Sequence, residues 1–299
     1  MNFILELLRR EQGRQQKELE FSQLPYQQRV AQLKEQKLPL FFYKYHSLHS
    51  HNPNKPQEKW EHASDYLINS RFYLSRPANF NDPFDMRAYF TDSVPKEKKR
   101  YFLDQLLKIR TPQLTEKDRV LEVKKLLDNP EKLRTIHKLT LDEAVDSFGV
   151  SCLSTAPCNI LMWSHYANHH RGIAFQFNFA IDIFSFKWLQ PVSYSNDFPG
   201  IEYFERRDNK YSIALLTKHH GWEYEKEWRI VKPNGAGTYQ DFNSKILTGV
   251  ILGCRIDRKD EDKIRTMIEQ RKEQGLSSVK LYKLRQHESR YKLVIKHVE

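Results

Sequence analysis

The chain has 299 residues, 39% hydrophobic and 13% aromatic, which is enough apolar material for a sizeable core and too many rings for wholesale disorder. Its 49 Lys and Arg outnumber 38 Asp and Glu for a formal charge of +11, which favours phosphate-bearing partners, although a solvated surface explains the same diffuse excess. Three cysteines without paired spacing exclude a disulfide framework and a cysteine zinc cage, a reducing cytoplasm fits best, and no apolar run is long enough to predict a membrane span.

In chain order, Met1 to Leu8 are apolar but run into Arg9 and Arg10 with no basic leader and no small-residue cleavage site, so a secretory leader is not expected. Residues 1–38 are rich in Gln, Glu, Lys and Arg and are split by Pro25, with Tyr26, Val30 and Leu33 at helical spacing. They predict an N-terminal helical arm that either packs on its own domain or pairs with a second chain. Residues 39–299 are expected to form a single α+β domain with a helical insertion at about 94–148.

Leu40 to Tyr45 reads as a first strand, His46 to Pro56 as an exposed loop carrying His46, His49 and His51, Trp60 to Ser70 as a helix and Phe72 to Leu74 as a strand. Asn79-Phe80-Asn81-Asp82-Pro83-Phe84-Asp85 is a loop of turn formers. In the insertion, Phe102, Leu106 and Ile109 share one helical face and Val120, Val123 and Leu127 another. Asn129-Pro130 starts a helix, and Thr140 with Glu143 has the spacing of a capping box for the next.

After Gly149, Val150 to Ser154 is extended, Asn159 to His169 helical, and Ile173, Phe175, Phe177 and Phe179 alternate as the clearest strand. Further strands are expected at Val192 to Ser195, Lys226 to Lys232, Thr248 to Gly253, Val279 to Leu284 and Tyr291 to His297. Helices are expected at Ile201 to Lys218 and Asp260 to Gln274. Helices and strands without strict alternation predict a mixed or antiparallel central sheet. The glycine cradles for dinucleotides and triphosphates are missing, which argues against a doubly wound nucleotide fold.

The chemistry concentrates in Trp222-Glu223-Tyr224-Glu225-Lys226-Glu227-Trp228-Arg229. If the run is extended, Glu223, Glu225, Glu227 and Arg229 share one face, and three repelling carboxylates need a cation, a shared proton or a hydroxyl-rich ligand. The plain alternative pairs Glu227 with Arg229, Lys218 or Lys226 and leaves Trp222 and Trp228 as core anchors. In Leu161 to Gly172, His165 and His169 stand one helical turn apart, but no Glu follows the first His and no metal site is expected. Arg171 has the planar fork that suits phosphate. Asp82 and Asp85 suit either a cation or an ordinary turn. The E-x-K signature of metal-dependent nucleases occurs as Glu122-Val123-Lys124, within a helical pattern that lacks the strand geometry.

Asn81-Asp82-Pro83-Phe84-Asp85, Ser151-Cys152-Leu153-Ser154, Leu161 to Tyr166, His170-Arg171-Gly172 and Glu225 to Arg229 together resemble a bacterial family, domain-of-unknown-function family 2971. The likeness covers about residues 39–255 and carries no reaction with it. A second resemblance is to ADP-ribosyltransferases, which place an Arg or His on an early strand, a Ser or Tyr on a middle strand and a Glu on a late one.

Here His46 or Tyr45, Ser154 or Ser151, and Glu227 fill that order, and Glu225 with Glu227 resembles the paired E-x-E of arginine-modifying members. Three departures stand against it: His46 ends its strand, the serine motif is S-x-x-S-T where those enzymes have S-T-S, and no nicotinamide clamp is identifiable. The resemblance implies a cytoplasmic enzyme that consumes NAD as a substrate, either transferring ADP-ribose to a protein or nucleic-acid acceptor or hydrolysing NAD, as a toxin or phage-defence effector. It implies Glu227, Glu225, Ser154 and His46 as catalytic, with Tyr45, Ser151, Trp163, His165, Arg171 and Arg229 around the cofactor. The alternatives are a non-catalytic basic nucleic-acid-binding module and a metal-dependent nuclease.

Overall fold

The computed structural model describes residues 11–49, 54, 57–91, 93–202 and 211–298. Its strands are, in chain order, β1 (Phe41–His46), β2 (Arg71–Leu74), β3 (Tyr89–Thr91), β4 (Gly149–Ser154), β5 (Ile173–Asn178), β6 (Leu189–Pro191) and β7 (Ser193–Ser195). There follow β8 (Gly200–Glu202), β9 (Thr217–His219), β10 (Glu227–Lys232), β11 (Thr238–Asp241), β12 (Leu247–Leu252), β13 (Lys280–Gln286) and β14 (Leu293–His297). The chain forms two compact units, one from the residues up to Arg76 with Gly149–Val192 and Gly221 onward, the other from Pro77–Phe148 with Ser193–His220.

The first unit is built on an eight-stranded sheet in the order β14-β13-β12-β5-β1-β4-β10-β6. Its neighbours pair antiparallel except β12 with β13, so the sheet is mixed. A parallel pair needs a crossover, and the helix Arg258–Glu273 supplies it. Alternation sends Phe175 and Phe177 into one core layer with Phe42, Leu153, Ile230 and Val250. On the opposite face, Tyr43, Tyr45, Ala174 and Ile251 pack under Met162 and Trp163 of the helix Ile160–Tyr166. Both faces of the sheet are therefore covered, which is why its central strands read as near-continuous apolar runs.

The N-terminal helices Glu11–Gln23 and Tyr26–Glu35 belong to this unit. Phe21 and Leu33 are buried in the first layer, each contributing about 1.5–3 kcal/mol of apolar burial. Asn178 Nδ2 donates to the Tyr26 hydroxyl at 2.8 Å, and Arg29 donates to the Ile181 carbonyl at 2.8 Å.

The second unit holds the helices Lys96–Arg110, Glu116–Leu127 and Pro130–Asp146 and two parallel strand pairs, β3 with β8 and β7 with β9. Leu103, Val123, Leu126 and Leu133 form its core. The expected faces are partly wrong: Ile109 and Val120 are exposed, because the helices meet along Leu103 and the Val123–Leu126 ridge one position away. Asn129 caps the helix Pro130–Asp146 as its sequence predicts, accepting from Lys132 N at 2.9 Å.

Thr140 and Glu143 are no capping box. They lie inside that helix, where Thr140 Oγ1 bonds back to the Ile136 carbonyl. The helix expected over Ile201 to Lys218 is also corrected: Gly200–Glu202 and Thr217–His219 are strands, only Ser212–Leu215 is helical, and 203–210 lie outside the described residues. Short parallel pairing overrides the local helical pattern at both ends of that stretch.

Candidate active site

The acidic run is not one extended segment. His220–Glu225 is a 3-10 turn, Lys226 takes a left-handed conformation (φ 45°), and β10 begins at Glu227. Glu223 is thereby turned out to solvent while Glu225 and Glu227 are buried, at 2% and 5% exposure. Separating the third carboxylate relieves the repulsion that an in-register triple would carry.

Tyr166 and Arg229 both bond to the remaining pair. Tyr166, the last residue of its helix, donates its hydroxyl to Glu225 Oε1 at 2.6 Å. Arg229, fully buried, donates Nε and Nη2 to the two oxygens of Glu227 at 2.8 and 3.0 Å. This is a bidentate, charge-assisted pair, the strong form of the contact. Burial and the negative charge of Glu225 raise the Tyr166 pKa, so the phenol stays a proton donor.

Register brings β4 to the same place. Glu227 stands opposite Ser154 and Arg229 opposite Cys152. Ser154 Oγ donates to the Glu225 carbonyl at 2.5 Å and accepts from Ala156 N at 3.0 Å, so it fixes the turn that presents Glu225. Burial, then the charge of Glu227, pushes the Cys152 thiol up, which keeps it protonated and unreactive. Lys44, on β1, donates Nζ to the Cys152 carbonyl at 3.1 Å; burial lowers its pKa, opposed by Cys152 and Glu227.

Two expected residues, His46 and Ser151, fall elsewhere. Tyr43 pairs with Ser154, so His46, an odd number of residues along β1, lies in the opposite layer. Its Nε2 is 2.7 Å from the Lys59 carbonyl oxygen, its ring packs near Phe175, and burial pushes its pKa down to about 3. It is a neutral core histidine at the end of β1, and Leu48 beyond it is buried as well. His49 bonds to Asp260 at 2.6 Å, and His51 lies outside the described residues. Ser151 pairs with Ile230 on that same far layer.

Tyr45 and Trp163 stay on the near face but are core residues. Their rings meet edge to face at 5.1 Å, the Tyr45 hydroxyl donates to the Ala156 carbonyl, and Trp163 Nε1 donates to the Pro157 carbonyl. His165 and Arg171 are exposed. The helix stops at Tyr166, so the one-turn spacing of His165 and His169 is not realised. His165 instead sits 6.3 Å from the Trp222 ring, which lies 6.0 Å from Tyr224.

Sequence reasoning missed Tyr166 and Cys152 as neighbours of the carboxylates. Only the alternation of β4 and the placing of Tyr166 next to His165 carried any signal of them. Among the described residues, no group of three or more His, Cys, Asp or Glu side chains gathers as a metal site, and no helix is long and apolar enough to cross a membrane.

A mixed α+β unit with two buried carboxylates at the head of β10, the strand next to the sheet edge, is thus the class of molecule in hand. Residues 162–230 match the profile of a family described as protein of unknown function (DUF2971), which bears out the family read from the motifs. That stretch contains the Trp163-Ser164-His165-Tyr166, His170-Arg171-Gly172 and Glu225-to-Arg229 segments. No curated protein matches the chain, and no solved structure does.

Proposed function

We propose that the chain is an NAD-consuming enzyme of the ADP-ribosyltransferase-like kind, a transferase or NAD glycohydrolase, with Glu225 and Glu227 as its working carboxylates. The observation that carries this reading is their joint burial at the head of β10, each oriented by a dedicated donor. Holding two carboxylates out of water costs several kcal/mol per ion before pairing, and active sites are where such arrangements concentrate.

Cleaving the bond between nicotinamide and ribose passes through an oxocarbenium-like state. Glu227, its orientation locked by Arg229, would bind ribose hydroxyls and stabilise the growing positive charge, as paired carboxylates do in glycoside cleavage. The C1′–N bond breaks with its electrons leaving on nicotinamide, the oxygen or nitrogen of water or an acceptor attacks C1′, and Glu225 takes the attacker's proton. Tyr166, by donating to Glu225, keeps that carboxylate aimed. His165, Trp222 and Tyr224 supply the aromatic surface beside it, in place of the core residues Tyr45 and Trp163.

The test is nicotinamide release from NAD, with and without protein and nucleic-acid acceptors, by wild type, Glu225→Gln and Glu227→Gln. Both variants should lose about 100-fold or more in rate, in the range of a positioned acid–base or electrostatic group, while melting cooperatively. Wild-type chain that releases no nicotinamide, or variants that release it at the wild-type rate, would overturn the proposal. The formal charge of +11 favours one second reading, a nucleic-acid-binding module. That reading requires salt-sensitive binding that survives Glu227→Gln.

A further inference from the structure

Within the second unit, a cavity of about 1360 Å³ opens between the helix Pro130–Asp146 and the segment from Phe80 to Phe90. It is larger than the ~300–1,000 Å³ of common small-molecule sites. The Asn81-Asp82-Pro83-Phe84-Asp85 motif, which the carboxylate site does not use, lies along this wall.

The helix explains one side of the cavity. Leu133, His137, Leu141 and Val145 recur at turn spacing and are buried, so the neighbouring row of Arg134, Lys138 and Asp142 stands at the surface. Charge separates along that row, cationic at Arg134 and Lys138 and acidic at Asp142 and Glu143. The facing wall is aromatic: Phe80, Phe90 and the exposed Tyr89.

The motif's own acids are already engaged. Asp82 Oδ1 accepts from Phe84 N at 2.9 Å and Asp85 Oδ1 from Met86 N at 2.7 Å, while Asp85 Oδ2 lies 3.9 Å from the buried Lys218 Nζ. Asp146 Oδ1 accepts from Ala78 N at 3.2 Å. By contrast Arg134 and Lys138 line the cavity with no carboxylate in ion-pair range among the described residues.

We propose that this cavity binds a nucleoside phosphate. The phosphates meet Arg134 and Lys138, where a planar guanidinium gives two parallel bonds and an ammonium a point charge. The base lies on Tyr89, whose exposed ring offers it a stacking face. Asp142 and Glu143 accept from ribose hydroxyls or a base amino group. The site is separate from the NAD-consuming reading and stands without it.

Calorimetric titration of the full chain with ATP, GTP, adenosine and inorganic phosphate tests the assignment, run on Glu227→Gln so that turnover does not interfere. A nucleoside triphosphate should bind at least tenfold more tightly than adenosine or phosphate alone. Arg134→Ala with Lys138→Ala, two exposed helical positions, should lose at least tenfold in affinity with melting unchanged, and Tyr89→Ala should also weaken binding. If the double variant misfolds, Tyr89→Ala decides alone. Absence of triphosphate binding, phosphate binding as well as ATP, or variants that keep wild-type affinity would overturn the proposal.

Discussion

Arg229→Met keeps most of the stem volume of a fully buried side chain but removes both bonds to Glu227, leaving a carboxylate that is 5% exposed without its fork. Breaking one side of such a pair costs about 3–5 kcal/mol, in line with two charge-assisted bonds at ~1.5–3 kcal/mol each. At roughly 2–4 °C per kcal/mol for a unit of 150–250 residues, Tm falls by about 6–20 °C. Arg229→Met combined with Glu227→Gln removes the charge that Arg229 balanced and recovers half the loss or more. The measurement is urea and thermal unfolding followed by tryptophan fluorescence, with separate transitions allowed for the two units. A single-variant loss under ~1 kcal/mol, or a double variant as costly as the sum of the singles, would refute the buried pair as the element that holds Glu227.

At high pH, Tyr43, Tyr45, Tyr66 and Tyr166 all keep their protons above the ordinary value of 10.0, chiefly through burial, with Tyr43 pushed up to about 12. Their contribution is full below pH 10 and is lost above it, as the unfolded chain ionises first. Stability then falls by about 1.4 kcal/mol per pH unit for each tyrosine, and phenolate absorbance of the folded chain should lag that of the unfolded chain. At low pH the sign reverses for His46, whose folded pKa of about 3 lies below the ordinary 6.5. Its contribution is present above about 6.5 and drains by ~1.4 kcal/mol per unit as the pH falls toward the folded value; His46→Phe should flatten that part of a urea-midpoint profile. Ser154→Ala strands the Glu225 carbonyl and the Ala156 N–H, costing ~1–3 kcal/mol in thermal unfolding.

The features readable from the chain are those decided by near neighbours. The alternation Ile173, Phe175, Phe177 identifies β5 because each residue's face depends only on its own strand, and Asn129-Pro130 caps a helix by a bond three residues long. What failed depends on partners far away in the chain. His46 and Tyr45 are adjacent letters, and only the pairing of Tyr43 with Ser154 decides which one shares a face with the carboxylates. Glu223 keeps perfect period-two spacing with Glu227, yet a left-handed Lys226 removes it from the site.

Ser154 shows why the distinction matters for mechanism. Read in sequence it is a hydroxyl in the right order for catalysis, whereas in the fold both its bonds are spent on backbone. In the proposed reaction, a serine so committed acts only by holding Glu225 where Tyr166 can reach it. Loss of Ser154 should therefore lower the rate of nicotinamide release only in part, while Glu225→Gln abolishes it. A Ser154→Ala chain as inactive as Glu225→Gln, with melting little changed, would place the hydroxyl in the chemistry.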